Sequence, residues 1–334
     1  MSAAMGAPMS TAGAREAVTA VCDEVERVIV GKREAVETVL VAILAGGHIL
    51  LEDLPGLGKT LLARSLAKVL GLQFARIQFT PDLLPSDLTG ATVLDPATQQ
   101  LTFRPGPVFT QVLLADELNR TPPKTQAALL EAMAEGQVSA DGETRQLPRP
   151  FIVLATDNPI EYEGTYPLPE AQLDRFTARV RLGYLAPADE EEMVRRSLEH
   201  RTDPVILRTL TSADQVLALV SAMDAVEMHP DVTSYVVRLV NATRSHPGTE
   251  VGASPRGSLA VTRMSRGRAL LAGRDFVVPD DVKAVAVAAL GHRIGVKPEL
   301  WVRRVSGDDI VTQVLAEVPM PPTRPVAAPD AAIR

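Results

Sequence analysis

Aromatic residues make up only 4% of this 334-residue chain. Single-stranded nucleic acid is held largely by stacking bases on aromatic rings, so that class of binding is disfavoured. The same scarcity makes the core aliphatic, and a hydrophobic content of 46% supplies Leu, Val, Ile and Ala for it. One cysteine, Cys22, excludes an intrachain disulfide and a paired-cysteine metal site. It falls in an N-terminal helical pattern, as a small, partly buried side chain. Five histidines are scattered, with none at zinc-ligand spacing. Positive charge is in deficit: 34 Lys and Arg against 41 Asp and Glu give a formal net charge of −7. That balance opposes non-specific attraction to a polyphosphate backbone. No run of about 18 apolar residues occurs, so no membrane span is expected. The first residues are small and polar, without a basic start or an apolar stretch, and read as a disordered tail over 1–14. The expectation is a soluble, cytoplasmic protein.

What is present is a rhythm. Short apolar runs at His48–Glu52, Phe74–Gln78, Val112–Asp116, Phe151–Thr156 and Ala178–Leu182 read as strands covered on both faces. Helical patterns lie between them at Glu34–Leu44, Lys59–Leu70 and Pro123–Glu135. Alternation of this kind implies right-handed crossovers and a mostly parallel, wound α/β sheet. Two segments break the rhythm. Gly90–Gly106 carries short β patterns around Asp95-Pro96, and Gly136–Pro150 carries Asp141-Gly142 between alternating residues. Both predict hairpins, which serve either as surface decoration or as projections toward a substrate. After Pro187 the pattern turns all-helical: Asp189–His200, Ser212–Met223, Pro230–Ser245, Ser258–Ala272 and Asp280–His292. Residues from Met320 onward, rich in Pro and Ala, read as a second disordered tail.

The chemistry concentrates in DLPGLGKT, Asp53–Thr60. A strand, a glycine turn ending in Lys-Thr, and a helix form a cradle for nucleotide phosphates, with backbone N–H groups and the positive helix end facing the anion. Lys59 would reach the β- and γ-phosphates and Thr60 would bind Mg²⁺. Asp53 stands where the general motif has its first glycine. The third apolar strand ends in Asp116-Glu117, suited to holding Mg²⁺ and polarising an attacking water. Asn158, after the fourth, is placed to orient that water. Arg175, just before the fifth, is a candidate arginine finger. Arg256, at the start of a lid helix behind Ser254-Pro255, is unfavourable against the helix dipole unless it meets an anion.

Taken together, these stretches resemble the MoxR family of AAA+ ATPases. The likeness is carried by LLADELNRTPPKTQAALLEAMAEGQV (Leu113–Val138), FRPGPVF (Phe103–Phe109), ATDNPIEYEGTYPLPEAQLDRF (Ala155–Phe176) and GASPRGSLA (Gly252–Ala260), and spans roughly 15–299. It implies a P-loop AAA+ core over 15–186 with helix-2 and pre-sensor-1 hairpin inserts. An all-helical lid over 187–319 and a tail over 320–334 follow. It matches Pro55, Gly56, Leu57, Gly58, Lys59, Thr60 and Leu61 to the nucleotide loop, Asp116 and Glu117 to Walker B, and Asn158 to sensor 1. Arg256 matches sensor 2, and Arg175 the finger, with Arg120 and Arg179 as alternatives. Val30-Gly31 matches the stretch that contacts adenine. The implied cofactors are ATP and Mg²⁺, and the implied assembly is a ring, usually hexameric, with fingers acting in trans. The implied partners are von Willebrand A domain proteins or other clients whose maturation the ATPase assists. A hinge that moves the lid with nucleotide state is expected from Arg256. Two other readings stay open: a nucleic-acid motor using Arg263, Arg266, Arg268 and Arg274, and a nucleotide switch that scarcely hydrolyses.

Overall fold

A computed structural model describes residues 9–97, 99–159, 164–199 and 205–321. Helices α1 (Thr11–Glu26) and α2 (Arg33–Leu44) lead into strand β1 (Ile49–Glu52), helix α3 (Lys59–Val69) and strand β2 (Phe74–Gln78). Helix α4 (Pro85–Thr89), the hairpin β3 (Gly90–Leu94) and β4 (Leu101–Pro105), and strand β5 (Val112–Asp116) come next. Helix α5 (Pro123–Glu135), the hairpin β6 (Gln137–Ala140) and β7 (Glu143–Gln146), β8 (Ile152–Asp157), α6 (Glu170–Leu173) and β9 (Ala178–Val180) complete the α/β part. Helices α7 (Pro187–Glu199), α8 (Ala213–Asp224), α9 (Pro230–Ser245), α10 (Pro255–Leu271), α11 (Pro279–Leu290) and α12 (Gly307–Glu317) follow. A two-stranded ribbon, β10 (Thr249–Val251) and β11 (Gly295–Val296), is set among them.

Five strands form one parallel sheet in the order β2–β5–β8–β1–β9. Their period of two sorts side chains onto two apolar layers. Ile49, Leu51, Val112, Leu114, Ile152 and Leu154 face one cluster. Leu50, Leu113, Ala115, Val153 and Ala155 face the other. All C-terminal strand ends therefore meet along one rim, where open α/β sheets place their ligands.

Both expected hairpins form. Asp141 and Gly142 take φ of +54° and +80°, the left-handed pair that a tight two-residue turn requires. The hairpins are locked together. Thr92 donates to the Asp141 carboxylate from its N–H (3.0 Å) and hydroxyl (2.5 Å), and the Arg145 guanidinium lies 3.8 Å from the Phe103 ring centre.

The structure adds to or departs from the sequence reading in three places. The tail over 1–14 is shorter than expected: Ser10 Oγ accepts from Gly13 N (3.2 Å) and caps α1, and Ala14 is fully buried. Residues 1–8 and 322–334 of the two expected tails lie outside the described residues. Helix α12 was not anticipated, although Ser306 and Asp309 form a reciprocal capping box at its start. Finally, 186/187 does not mark a break in the core. Helix α10 packs on α1 and α2, and one buried cluster runs from Val18 and Leu40 through Leu66 to Val261, Leu290 and Ile310. Lid and core share an interior, which opposes a free hinge between them.

Candidate nucleotide site

The turn between β1 and α3 is shaped by two glycines. Gly56 and Gly58 have φ of +82° and +88°, which L side chains rarely adopt, and the space where a Cβ would lie is open at both. Gly58 is the N-cap of α3 and brings no side-chain acceptor, so the first-turn N–H groups are left facing the turn's interior. Lys59 Nζ donates to the Asp53 carbonyl and lies 3.4 Å from the Asp157 carbonyl. Burial holds the Lys59 ammonium below its usual range, opposed by the charges of Asp53, Asp116, Asp157 and Glu117. Thr60 follows on the first turn of α3, and Leu61 is exposed beside it. Pro55 and Leu57 complete the loop. The Asp53 carboxylate points away from the cradle: it accepts from Leu182 N (2.6 Å), Gly183 N (2.7 Å) and Leu54 N (3.1 Å). An acid in place of the usual glycine thus ties the loop's start to the segment after β9.

Asp116 ends β5 with both oxygens engaged. Oδ1 accepts from the Thr156 hydroxyl at 2.6 Å, and Oδ2 accepts from Arg76 Nη2 at 2.7 Å and Nε at 3.1 Å. Glu117 has φ +56° and ψ +51°, a strained backbone for a residue with a side chain and the kind of outlier that clusters at functional sites. Its N–H donates to Thr156 Oγ1 at 2.8 Å, and its carboxylate pairs with Arg120 Nε at 3.0 Å. Thr156, which the sequence did not single out, therefore bridges the two acids from β8. No local signal marks it, because a threonine at the end of an apolar strand is common.

Asn158 is buried just past β8. With Asp157, Asn119, Arg179 and His292 it lines a cavity of about 240 Å³ behind the rim. The Asp157 Oδ1 is buried without a hydrogen-bond partner, and burial, then neighbouring Glu52, raises its carboxyl above the usual range. The Val30-Gly31 turn joins the same rim through the chain after β9. Lys32 Nζ donates to the Tyr184 carbonyl at 2.8 Å, one residue past the Asp53 partner Gly183. Gly31 has φ +67°, and a Cβ there would collide with the Asp189 carboxylate at the start of α7.

Two of the expected site residues are elsewhere. Arg175 and Arg256 line a cavity of about 280 Å³ together with Arg263, Arg293, Gly46 and His48. Gly46 and His48 precede β1, whereas Lys59 follows it, and from Gly47 to Asp53 an extended chain covers about 20 Å. The Ser254 hydroxyl donates to Asp174 Oδ1 at 2.9 Å, and Arg256 N donates to Ser254 Oγ at 3.0 Å. The start of α10 is thereby fixed beside Arg175, at the opposite end of the sheet from its own chain's glycine loop. The expectation that Arg256 grips phosphate from the lid side left open whose phosphate; in this geometry its own chain's glycine loop is out of reach. Among the alternative fingers, Arg179 is bound to Glu52 (3.0 Å) and Asp308 (2.7 Å), and Arg120 sits on Glu117 in its own site. Arg175 is half-buried, its Nη1 donating to the Leu130 carbonyl at 2.6 Å. The basic run along α10 and just beyond it is dispersed as well. Arg268 pairs with Glu37 at 2.7 Å and Arg274 with Asp281 at 2.6 Å, while Arg263 lines the arginine cavity.

Comparison with known proteins decides what the cradle belongs to. Residues 48–178 match the model of the ATPase family associated with various cellular activities (AAA), and residues 241–314 match the AAA lid domain. The chain is 41% identical to "Chaperone MoxR1" of Mycobacterium tuberculosis, over 89% of this chain and 81% of that one. The chain belongs to the MoxR family of AAA ATPases. It is also 46% identical to the "Uncharacterized protein YeaC" of Bacillus subtilis, over 90% of this chain and 94% of that one. A crystal structure of a candidate ATPase from Cytophaga hutchinsonii superposes with a TM-score of 0.87 at 40% identity, covering 93% of this chain and 97% of the other.

This MoxR-family ATPase has the donor set that a nucleotide with Mg²⁺ requires. The open left-handed glycines and uncapped helix start suit phosphate. The Thr60 hydroxyl and Asp116 carboxylate are hard oxygen donors of the type Mg²⁺ takes, few in number because phosphates and waters supply the rest. Among the described residues no helix is long and apolar enough to cross a membrane.

Proposed function

We propose that this MoxR-family chain is an Mg²⁺-dependent ATPase that works as a ring, usually of six copies, and remodels partner proteins. The observation that carries the reading is the separation of Arg175 and Arg256 from Lys59 across the sheet. Neither guanidinium can serve its own chain's γ-phosphate, so both are directed to a neighbour's. Head-to-tail contacts that close on themselves supply that arrangement.

In this reading the backbone N–H groups of Gly56–Thr60 and the Lys59 ammonium hold the phosphates. The Thr60 hydroxyl and the Asp116 carboxylate would hold Mg²⁺, which when bound would supply positive charge against that developing on the transferred phosphoryl group. Glu117 accepts a proton from the attacking water, which Asn158 orients. The neighbour's Arg175 stabilises the transition state, an effect on the order of 10³ or more in rate, and Arg256 grips the same phosphate from the neighbour's lid. The reading as a remodelling chaperone is supported by the name of the mycobacterial relative, a chaperone, and by the coupled hairpins, a rigid unit suited to pushing on a client. Von Willebrand A domain proteins are the clients the family resemblance implies. The dispersal of Arg268 and Arg274 into ion pairs disfavours a nucleic-acid motor.

A mixing experiment tests the composite site. Lys59→Ala and Arg175→Ala should each abolish turnover. Mixed in equal amounts they restore about a quarter of the interfaces, because an intact site then forms from one subunit of each kind. A co-assembled mixture without ATPase activity would remove Arg175 from the neighbour's site.

A further inference from the structure

Asp116 is held in two unlike ways. On Oδ1 it accepts from the Thr156 hydroxyl (2.6 Å), a fully buried group on the adjoining central strand β8. On Oδ2 it accepts from Arg76 Nη2 (2.7 Å) and Nε (3.1 Å). Arg76 comes from β2, the edge strand, and its side chain is 46% exposed against 12% for Asp116. The register puts Arg76 opposite Leu114 and Gln78 opposite Asp116, so the arginine leans along its strand to reach the carboxylate. The same Nη2 lies 3.1 Å from Gln78 Oε1. One bond to Asp116 is an anchor, and the other belongs to a half-exposed cation with a second acceptor already in reach.

We propose that Arg76 is a displaceable counter-ion for Asp116 that sets how much Mg²⁺ the site needs before nucleotide is held tightly. The inference rests on the Mg²⁺-nucleotide reading above and concerns regulation of that same site. Its physical basis is competition for one oxygen. A mostly buried carboxylate left without a compensating charge is costly, and the guanidinium supplies that charge when no metal is bound. The arginine side chain is long, flexible and half-exposed, so its guanidinium can yield by moving. A dication or its bound water approaching Oδ2 meets both an occupied lone pair and a like charge. Arg76 must withdraw to Gln78 and solvent, while Thr156 keeps Oδ1 in place. Metal alone therefore binds poorly, and metal arriving with a polyphosphate binds well, because the phosphates bring the negative charge that offsets Arg76.

The test uses the full chain and calorimetric binding of ADP across a Mg²⁺ titration, with a parallel measurement in EDTA. Arg76→Gln should lower the half-saturating Mg²⁺ about three- to tenfold, with metal-free ADP affinity unchanged. Arg76→Lys, which keeps the charge, should stay near wild type. Gln78→Leu removes the second acceptor and should raise the Mg²⁺ requirement; it keeps the test alive if Arg76→Gln fails to fold. A folded Arg76→Gln with a wild-type Mg²⁺ midpoint overturns the inference alone. Weaker metal-free ADP binding in Arg76→Gln also overturns it and makes Arg76 a phosphate ligand instead. A wild-type chain that binds no ADP at any Mg²⁺ refutes the nucleotide reading itself, and this inference with it.

Discussion

Thr156 shows how much a single small side chain can organise. Its one hydroxyl donates to Asp116 and accepts from the Glu117 N–H, so it fixes both the carboxylate proposed to hold metal and the strained backbone of the acid proposed to position water. Valine has nearly the same shape and neither bond. Thr156→Val should cost about 1–3 kcal/mol of stability, because it leaves a buried N–H and a carboxylate oxygen short of a partner. It should lower turnover well beyond its effect on nucleotide affinity. Chemical denaturation and steady-state ATPase assays read the two effects; a fully active, equally stable variant would show that Asp116 and Glu117 hold themselves. The glycine turn before Lys59 and Thr60 and the acidic strand end at Asp116 and Glu117 were legible in the sequence, because consecutive residues form them. Thr156 and Arg76 were not, since each acts through a strand distant in sequence. Asp53 was legible as part of the loop, but the backbone groups its carboxylate serves, at Leu182 and Gly183, are 129 and 130 positions away.

Elements that depend on local patterns were legible as well. Strands β2 and β5 and helices α5 and α9 have the boundaries expected of them, and both hairpins sit where turn residues placed them. Helix α12 was missed, although its capping box was available to be read. What local pattern could not say is that the hairpins are one body, joined by Thr92 to Asp141 and by Arg145 on Phe103. Asp141→Ala should release β3–β4 from β6–β7. Hydrogen exchange over Gly90–Pro105 should accelerate while that of α3 and β8 is unchanged. If the hairpin protects itself, its exchange will match wild type, and the two inserts are then independent.

On the scale of the whole chain, two buried histidines make the shared core sensitive to acid. His48 accepts from Val153 N at its Nδ1 (3.0 Å) and faces the Met133 carbonyl at its Nε2 (3.0 Å), the geometry of a neutral ring. Burial takes its pKa from 6.5 to about 4. His292, with Nε2 on the Phe176 carbonyl at 2.9 Å, is lowered for the same first reason, burial, and then by Arg293. The sign follows from linkage. Below about 6.5 the unfolded chain takes up a proton that the folded chain refuses, so the contribution is full above that pH and is lost as pH falls toward about 4. For His48 alone the loss is about 3 kcal/mol. A second decline follows at lower pH as Glu24, held down to about 2 by Arg208 and then Arg27, is protonated. Denaturation midpoints between pH 8 and 4 should fall through the first window, and His48→Gln should flatten that part of the profile. A slope unchanged by the substitution would remove His48 from the account.

The sequence by itself determined the cradle, the acids at the end of β5, the parallel sheet and the family, because turn glycines, strand periodicity and helix starts are decided by neighbours along the chain. Only the tertiary structure decided where the arginines go. Arg256 follows α10, and α10 lies where burial against α1 and α2 puts it. That packing, settled between residues more than two hundred positions apart, carries Arg256 to Arg175 and away from the glycine loop of its own chain.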